Sequence, residues 1–191
     1  KGLAALTPSR LEKILLGYPG NVRSSFAPVL EQMTVNDSQK AARIRGFLAK
    51  RDQADAEKGR ELFFGKKAAC STCHKVGERG GDVGPNLSRI GQIRGWRDLL
   101  ESTLYPSSTI VNSYETYTIV TRKGTLHTGI IHHETADTVS LRNARLEEIA
   151  IPRKGIVRME ATPLSLMPQG LDKNIGDEDF PHIIAFLKSL R

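Results

Sequence analysis

The first 50 residues carry apolar positions at the three- and four-residue spacing of amphipathic helices. Thr7 followed by Pro8 predicts a helix start, because threonine caps a first turn and proline fits its first position. A Tyr-Pro-Gly sequence at 18–20 predicts a break between two helices. Asp37, with the serine after it, predicts the start of a third helix. We therefore expect residues 1–50 to form an N-terminal helical segment, either a group of short helices or the end of a helical repeat.

Between residues 112 and 161 the pattern changes to short runs rich in β-branched and aromatic residues, several with apolar and polar positions alternating. Gly, Asn and Asp residues separate these runs, as they do at the turns of a β-sheet. The predicted strands cover 114–121, 125–133, 139–142, 147–151 and 156–160. About five short strands of this kind predict a small antiparallel barrel or a strongly twisted sheet.

Helical periodicity is found on both sides of the β-rich segment. One helix is predicted to run through Phe63, a second over 95–104, and a last one from Asp177. Because helices flank the strands, we interpret residues 54–191 as one domain that is interrupted by an insertion at 112–161.

Composition narrows the class of protein. The chain has 191 residues, of which 39% are hydrophobic and 26% charged, proportions that are ordinary for a water-soluble domain. No apolar run approaches the length of a membrane span. The formal charge of +7 could attract an acidic partner, but the basic residues are scattered and form no stripe with interleaved aromatics. We therefore expect neither a membrane span nor nucleic-acid binding.

The sequence Cys70-Ser71-Thr72-Cys73-His74 has the C-x-x-C-H form of a covalent haem c attachment site. Two thiols three residues apart lie on one helical turn, where each can add to one of the two vinyl groups of haem. The adjacent His74 then offers an imidazole nitrogen as an axial ligand of the iron. The pattern predicts one haem c, bound through Cys70 and Cys73, with His74 as a metal ligand.

The two cysteines allow three other interpretations. A redox-active dithiol would follow a β-strand, whereas the run before Cys70 is helical in character. A structural zinc site needs four ligands, and the chain contains only two cysteines. A disulfide between Cys70 and Cys73 would close a small strained ring and leave His74 without a role. Haem attachment is favoured over all three.

A haem that only transfers electrons needs a second axial ligand, and methionine is a common partner of histidine in cytochromes c. Met167 lies in a loop before the last helix, and the proline that follows stiffens this loop enough to hold a weak ligand. Met33 lies on an apolar helical stripe and Met159 in a predicted strand, so both are expected to pack in cores. Met167 is therefore the predicted second metal ligand.

The remaining histidines are alternatives to methionine. His127 and His133 are expected on one face of a strand and His132 on the other, because side chains alternate along a strand. His182 is expected on the exposed side of the last helix. We expect all four to lie at the surface.

Together with the sequence Gly84-Pro85-Asn86-Leu87 and the loop 165–171, these motifs resemble class I cytochrome c. More narrowly, residues 54–191 are similar to the haem-binding C-terminal domain of large planctomycete-type proteins. The resemblance implies a mainly α cytochrome c fold with an inserted small antiparallel β domain of about five strands, preceded by the N-terminal helical segment. In that fold Gly59 would let the first and last helices cross closely, against Phe186.

The resemblance also implies roles for individual residues. The carbonyl of Pro85 would accept a hydrogen bond from the other ring nitrogen of His74 and fix the orientation of that ligand. Leu87 would pack on the haem, and Arg94 and Trp96 could reach the haem propionates. The cofactor-binding set implied in this way is Cys70, Cys73, His74, Pro85, Leu87, Arg94, Trp96 and Met167.

Electron transfer is the expected function. With His74 and Met167 on the iron, the domain would exchange electrons without binding substrate, and it is not expected to be an enzyme by itself. Its donor would be a fused or partner dehydrogenase. The alternative is a haem enzyme or a sensor of carbon monoxide, nitric oxide or peroxide, which would need an open or displaceable sixth site. No G-x-S-x-G, H-E-x-x-H or P-loop sequence indicates hydrolytic or nucleotide chemistry.

The expected location follows from the cofactor. Covalent haem attachment normally takes place outside the cytoplasm, so we expect a periplasmic or otherwise exported protein. No export signal is visible at the start of the sequence, and we interpret the chain as a mature form or a fragment. The role of the β-rich insertion is left open, with one hypothesis that Tyr114, Tyr117 and its three histidines form a docking face for a partner domain.

Overall fold

The structure is a computed structural model that describes residues 6–191 and divides into two compact units. The first unit ends at Ala49 and the second covers Lys50–Arg191. Within the described residues, none of the helices combines the length and the apolar character that a membrane crossing requires.

The first unit contains two helices, α1 (Pro8–Leu15) and α2 (Gly20–Leu48), which pack against each other. The backbone N–H of Arg10 donates to the side chain of Thr7 at 3.3 Å, which is the predicted cap. The predicted third helix start at Asp37 is wrong, because α2 continues through that position. Asp37 and the following serine are exposed on α2 and disturb no packing there. The helix therefore continues through them despite their preference for a capping position.

The helices of the second unit are gathered around the last of them. They are α3 (Ala56–Phe64), α4 (Ile90–Ile93), α5 (Trp96–Leu104), α6 (Leu171–Ile175) and α7 (Phe180–Ser189). Helix α7 is apolar on most of its surface, and Phe180, Ile183 and Ile184 are almost completely buried. Helices α3, α4 and α5 all pack against α7, which therefore forms the centre of the helical core.

Helices α3 and α7 approach closely because α3 has a glycine at the crossing point. A Cβ atom on Gly59 would overlap the carbonyl of His182 and lie 2.9 Å from the Cβ of Phe186. The ring of Phe186 packs on Phe63, with centroids 5.3 Å apart. His182 is half-buried rather than exposed, and its Nδ1 accepts a hydrogen bond of 2.8 Å from the backbone N–H of Asp55. The expected exposed position of His182 is therefore wrong, because its Nδ1 accepts a hydrogen bond from the residue that precedes α3.

Five strands form one antiparallel sheet in the order β4-β3-β2-β1-β5. They are β1 (Thr116–Thr121), β2 (Leu126–Glu134), β3 (Thr138–Arg142), β4 (Glu148–Pro152) and β5 (Ile156–Ala161). One face holds a core of Ile119, Val139, Leu141 and Ile151. Met159 of the edge strand β5 packs against the same cluster as Ile151 of the opposite edge strand β4, so the sheet curls around its core.

The expectation of a mainly α cytochrome c fold is wrong. Helical residues make up 45% of the structure, and a five-stranded antiparallel sheet accompanies them. The sheet has its own buried cluster, in which Ile119, Val139 and Leu141 are fully inaccessible to solvent. Because the sheet has a hydrophobic core of its own, the chain combines helices with a sheet and is not a helical fold with a small addition.

An ion-pair network joins the start of α7 to the first turn of α3 and to the segment after α3, and it predicts a loss of stability in acid. The side chains of Lys58 and Lys67 approach Asp179 at 2.8 and 2.7 Å and lower its pKa to about 2. An aspartate in the unfolded chain has a pKa of about 3.9, so the stabilisation is complete above that pH and disappears as the pH falls through 2.

Asp179→Asn is therefore expected to lower stability near neutral pH by about 1 kcal/mol or less, because both lysines are half exposed to solvent. The difference from the natural chain is expected to vanish near pH 2. Thermal unfolding measured from pH 7 to 2 tests this, with Glu61→Gln on the exposed side of α3 as the control. A difference for Asp179→Asn that is independent of pH would contradict the ion-pair explanation.

Candidate functional site

The C-x-x-C-H sequence follows helix α3 and forms a tight turn. Residues Cys70–Thr72 make one turn of 3₁₀-helix, which begins after Ala69 in the left-handed conformation, with φ of 51°. The backbone N–H of His74 donates to the carbonyl of Cys70 at 2.9 Å. This bond winds the chain so that residues three and four positions apart fall on the same side. Cys70, Cys73 and His74 are therefore presented from one turn.

Both cysteine thiols are free and partly accessible. Burial raises the pKa of Cys70 to about 11, and burial also raises the pKa of Cys73. A redox-active dithiol needs the opposite, a lowered pKa that exposes a reactive thiolate at neutral pH. The turn also follows a helix, not the strand that a thioredoxin-like motif requires. Both observations speak against a dithiol oxidoreductase.

The imidazole of His74 is held with one nitrogen occupied and one available. Its Nδ1 lies 2.9 Å from the carbonyl oxygen of Pro85. Because a carbonyl can only accept, Nδ1 carries the proton, and Nε2 retains the lone pair that a metal ligand needs. Burial lowers the pKa of His74, which favours this neutral form. The contact is the one that the family resemblance implies for Pro85.

A glycine-rich loop supports the turn through backbone contacts. The N–H of Gly84 donates to the carbonyl of Cys73 at 2.8 Å, and the N–H of Gly81 donates to the carbonyl of Ser71 at 2.9 Å. A Cβ atom on Gly84 would lie 2.7 Å from Nδ1 of His74, closer than side chains pack. The ring therefore fits only because position 84 has no side chain. From the sequence, Gly84 was named only as part of the Gly-Pro-Asn-Leu motif, and the density of glycines at 77–84 was the available signal for this supporting role.

These observations test whether the residues fit a covalently bound haem. Two free thiols and an imidazole with a free Nε2 are the donor set that such a haem requires. Among residues 6–191, the potential metal ligands that lie close together in a group of three are in the sheet and not in the motif. They are His132, His133 and Glu148. The thiols and the imidazole of the motif thus do not converge as in a zinc centre. The residues fit haem and not a structural zinc ion.

The other residues of the implied cofactor set are more dispersed. Leu87 is half-buried, and its N–H donates to the carbonyl of Lys75 at 2.8 Å, which places it directly beside the motif. Arg94 is exposed, and its carbonyl accepts a hydrogen bond of 3.1 Å from Lys188. Trp96 is half-buried at the start of α5. In the part of the chain that the structure describes, neither Arg94 nor Trp96 shares a hydrogen bond with the motif.

Met167 lies half-buried in the loop between β5 and α6. Its backbone N–H donates to the hydroxyl of Ser165 at 3.2 Å, and the N–H of Ser165 donates to Ser107 at 3.0 Å. These bonds tie the loop to the segment after α5. Met159 packs against the core of the sheet, as its strand position predicts, and Met33 lies on α2 in the first unit. Met167 thus remains the methionine with a loop position in the second unit.

No protein-family model matches the chain, and no curated protein matches it.

Proposed function

We propose that the second unit carries one haem c and transfers electrons. Cys70 and Cys73 would hold the haem through two thioether bonds, and Nε2 of His74 would bind its iron. When bound, this group supplies a reversible one-electron change at the iron. The observation that supports the proposal most directly is the hydrogen bond of 2.9 Å from His74 Nδ1 to Pro85, beside two free thiols.

The residues of the chain have distinct tasks in this function. The carbonyl oxygen of Pro85 accepts a hydrogen bond from Nδ1–H of His74. This bond fixes the rotation of the ring and raises the basicity of Nε2. Gly84 leaves the space that the ring occupies. The backbone bonds from the loop to Cys73 and Ser71 keep the turn in one conformation. A rigid ligand environment favours electron transfer, since little has to move when the charge of the site changes.

Met167 is proposed as the second axial ligand. Its loop is anchored through Ser165, and a thioether is the soft donor that raises the potential of haem iron. With both axial positions filled by the chain, the domain would act as a carrier rather than an enzyme. A fused or partner dehydrogenase outside the cytoplasm would be its donor, since thioether attachment of haem is made there.

Intact mass tests the attachment. The chain is to be produced with an export signal and the c-type maturation machinery, then denatured and weighed. We expect the mass to exceed that of the polypeptide by one haem, and we expect Cys70→Ala with Cys73→Ala to abolish the increase. Ser71→Ala, between the two cysteines, is the matched control and is expected to retain the haem. A natural chain that weighs no more than its amino acids would refute the proposal.

A further inference from the structure

Two adjacent histidines share one face of the sheet because strand β2 contains a bulge. Ile131 pairs with Leu141, but His133, two residues later, pairs with Ser140, so His132 is the extra residue. Leu141 belongs to the core, and its neighbour Ser140 therefore points to the opposite, outer face. The bulge turns His133 to the outer face that His132 already occupies. The expectation that these histidines lie on opposite faces is wrong, and their ring centroids are only 4.1 Å apart.

Glu148 reaches the same place from strand β4. It pairs with Arg142, which lies two residues after Ser140 on β3 and so shares its outer face. Oε1 of Glu148 lies 3.3 Å from Nδ1 of His132. The candidate ligand atoms of His132, His133 and Glu148 all lie within 4.8 Å of one another. Three donors from two strands thus converge on one point at the surface.

We propose that His132, His133 and Glu148 bind a divalent transition metal ion of the zinc and copper class. Two imidazoles and one carboxylate are a common ligand set for these ions. Tetrahedral zinc, with bonds of about 2.0–2.2 Å, places neighbouring ligand atoms roughly 3.3 Å apart. This is the separation that His132 and Glu148 already have. His133 and Glu148 are exposed, so they can complete the coordination by a side-chain rotation.

The surroundings leave room for the remaining coordination position. A metal ion with three protein ligands retains an open position for water. His133 and Glu148 are exposed, so solvent can reach a metal ion bound between them.

Arg142 competes for the same carboxylate, which limits the affinity of the site. Its Nη2 lies 3.3 Å from Oε2 of Glu148 and 3.2 Å from Nδ1 of His132. Nη1 of the same guanidinium pairs with Asp82. Because the ion pair with Asp82 remains when a metal arrives, Arg142 can release both Glu148 and His132 without losing every partner. The site is therefore expected to fill reversibly rather than to hold a permanent structural ion.

Calorimetric titration with zinc tests the proposal on the full chain carrying Cys70→Ser and Cys73→Ser. These substitutions remove the thiols as competing zinc ligands and make the result independent of haem attachment. We expect one zinc ion per chain. His133→Ala and Glu148→Gln are each expected to weaken binding by at least about tenfold, because even an outer partner of a metal ligand contributes that much. His127→Ala, on the same strand outside the cluster, is the matched control and is expected to bind as before.

Copper gives an independent signature. The electron paramagnetic resonance spectrum of the copper-loaded chain is expected to show coupling to two imidazole nitrogens, and His133→Ala is expected to leave one. The proposal is overturned if zinc binding is not saturable, if His133→Ala and Glu148→Gln bind as tightly as the parent chain, or if His127→Ala weakens binding equally.

Discussion

Gly59→Ala is expected to destabilise the second unit by at least about 3 kcal/mol, near the upper end of the cost of overpacking a core. The added methyl group would overlap the carbonyl of His182 and crowd the Cβ of Phe186. A backbone carbonyl cannot rotate away as a side chain can, so α3 and α7 must separate. Separation opens the packing of Phe63 on Phe186 and weakens the hydrogen bond between Asp55 and His182. Urea unfolding followed by circular dichroism measures the effect.

Gly155→Ala is the matched control for this substitution. Gly155 lies in the same unit, a Cβ atom there would meet no atom within 4 Å, and the backbone does not have the positive φ that disfavours alanine. Its free energy of unfolding is expected to change by less than about 0.5 kcal/mol. Equal stability of Gly59→Ala and Gly155→Ala would mean that α3 and α7 do not cross as closely as described.

If the chain carries the proposed haem, Met167→Ala is expected to change the electronic properties of that haem while leaving its attachment intact. Loss of a thioether ligand should lower the reduction potential by on the order of 0.1 V, part of the roughly 0.8 V range over which axial ligands tune haem iron. The ferrous variant is also expected to bind carbon monoxide readily, which the natural chain should do poorly. Potentiometry and visible spectra with and without carbon monoxide measure both effects.

Met159→Ala distinguishes a ligand from a packing residue. Met159 packs against the sheet core, so its loss is expected to reduce stability and leave the haem spectrum unchanged. Rapid carbon monoxide uptake by the unmodified chain would refute Met167 as a ligand. It would favour the alternative function as a haem enzyme or a sensor of small ligands.

The positions of the strands and of most helices could be predicted from local patterns. The five strands lie within two residues of their predicted bounds, and α5 begins one residue after its predicted start. Such elements are specified by the periodicity of their own residues. The hydrogen bond from His74 to Pro85 was also expected, but it came from family resemblance and not from any local rule.

The features that could not be predicted depend on pairings between distant residues. The bulge at His132 is a property of how β2 matches β3, and neither strand's sequence indicates it. The same holds for the nitrogen of His182, which meets the backbone of Asp55 across 127 positions. The mainly α assignment was wrong for a different reason: the motifs near the cysteines carry no information about the separate core that the strands build.

The ion pair between Asp82 and Arg142 has a mechanical consequence. Asp82 lies between Gly81 and Gly84, whose backbone bonds grip the cysteine turn, while Arg142 belongs to strand β3. A displacement of β3 therefore acts, through this ion pair, on the segment beside the imidazole of His74. A molecule that docks on the sheet could in this way alter the proposed haem site without contacting it.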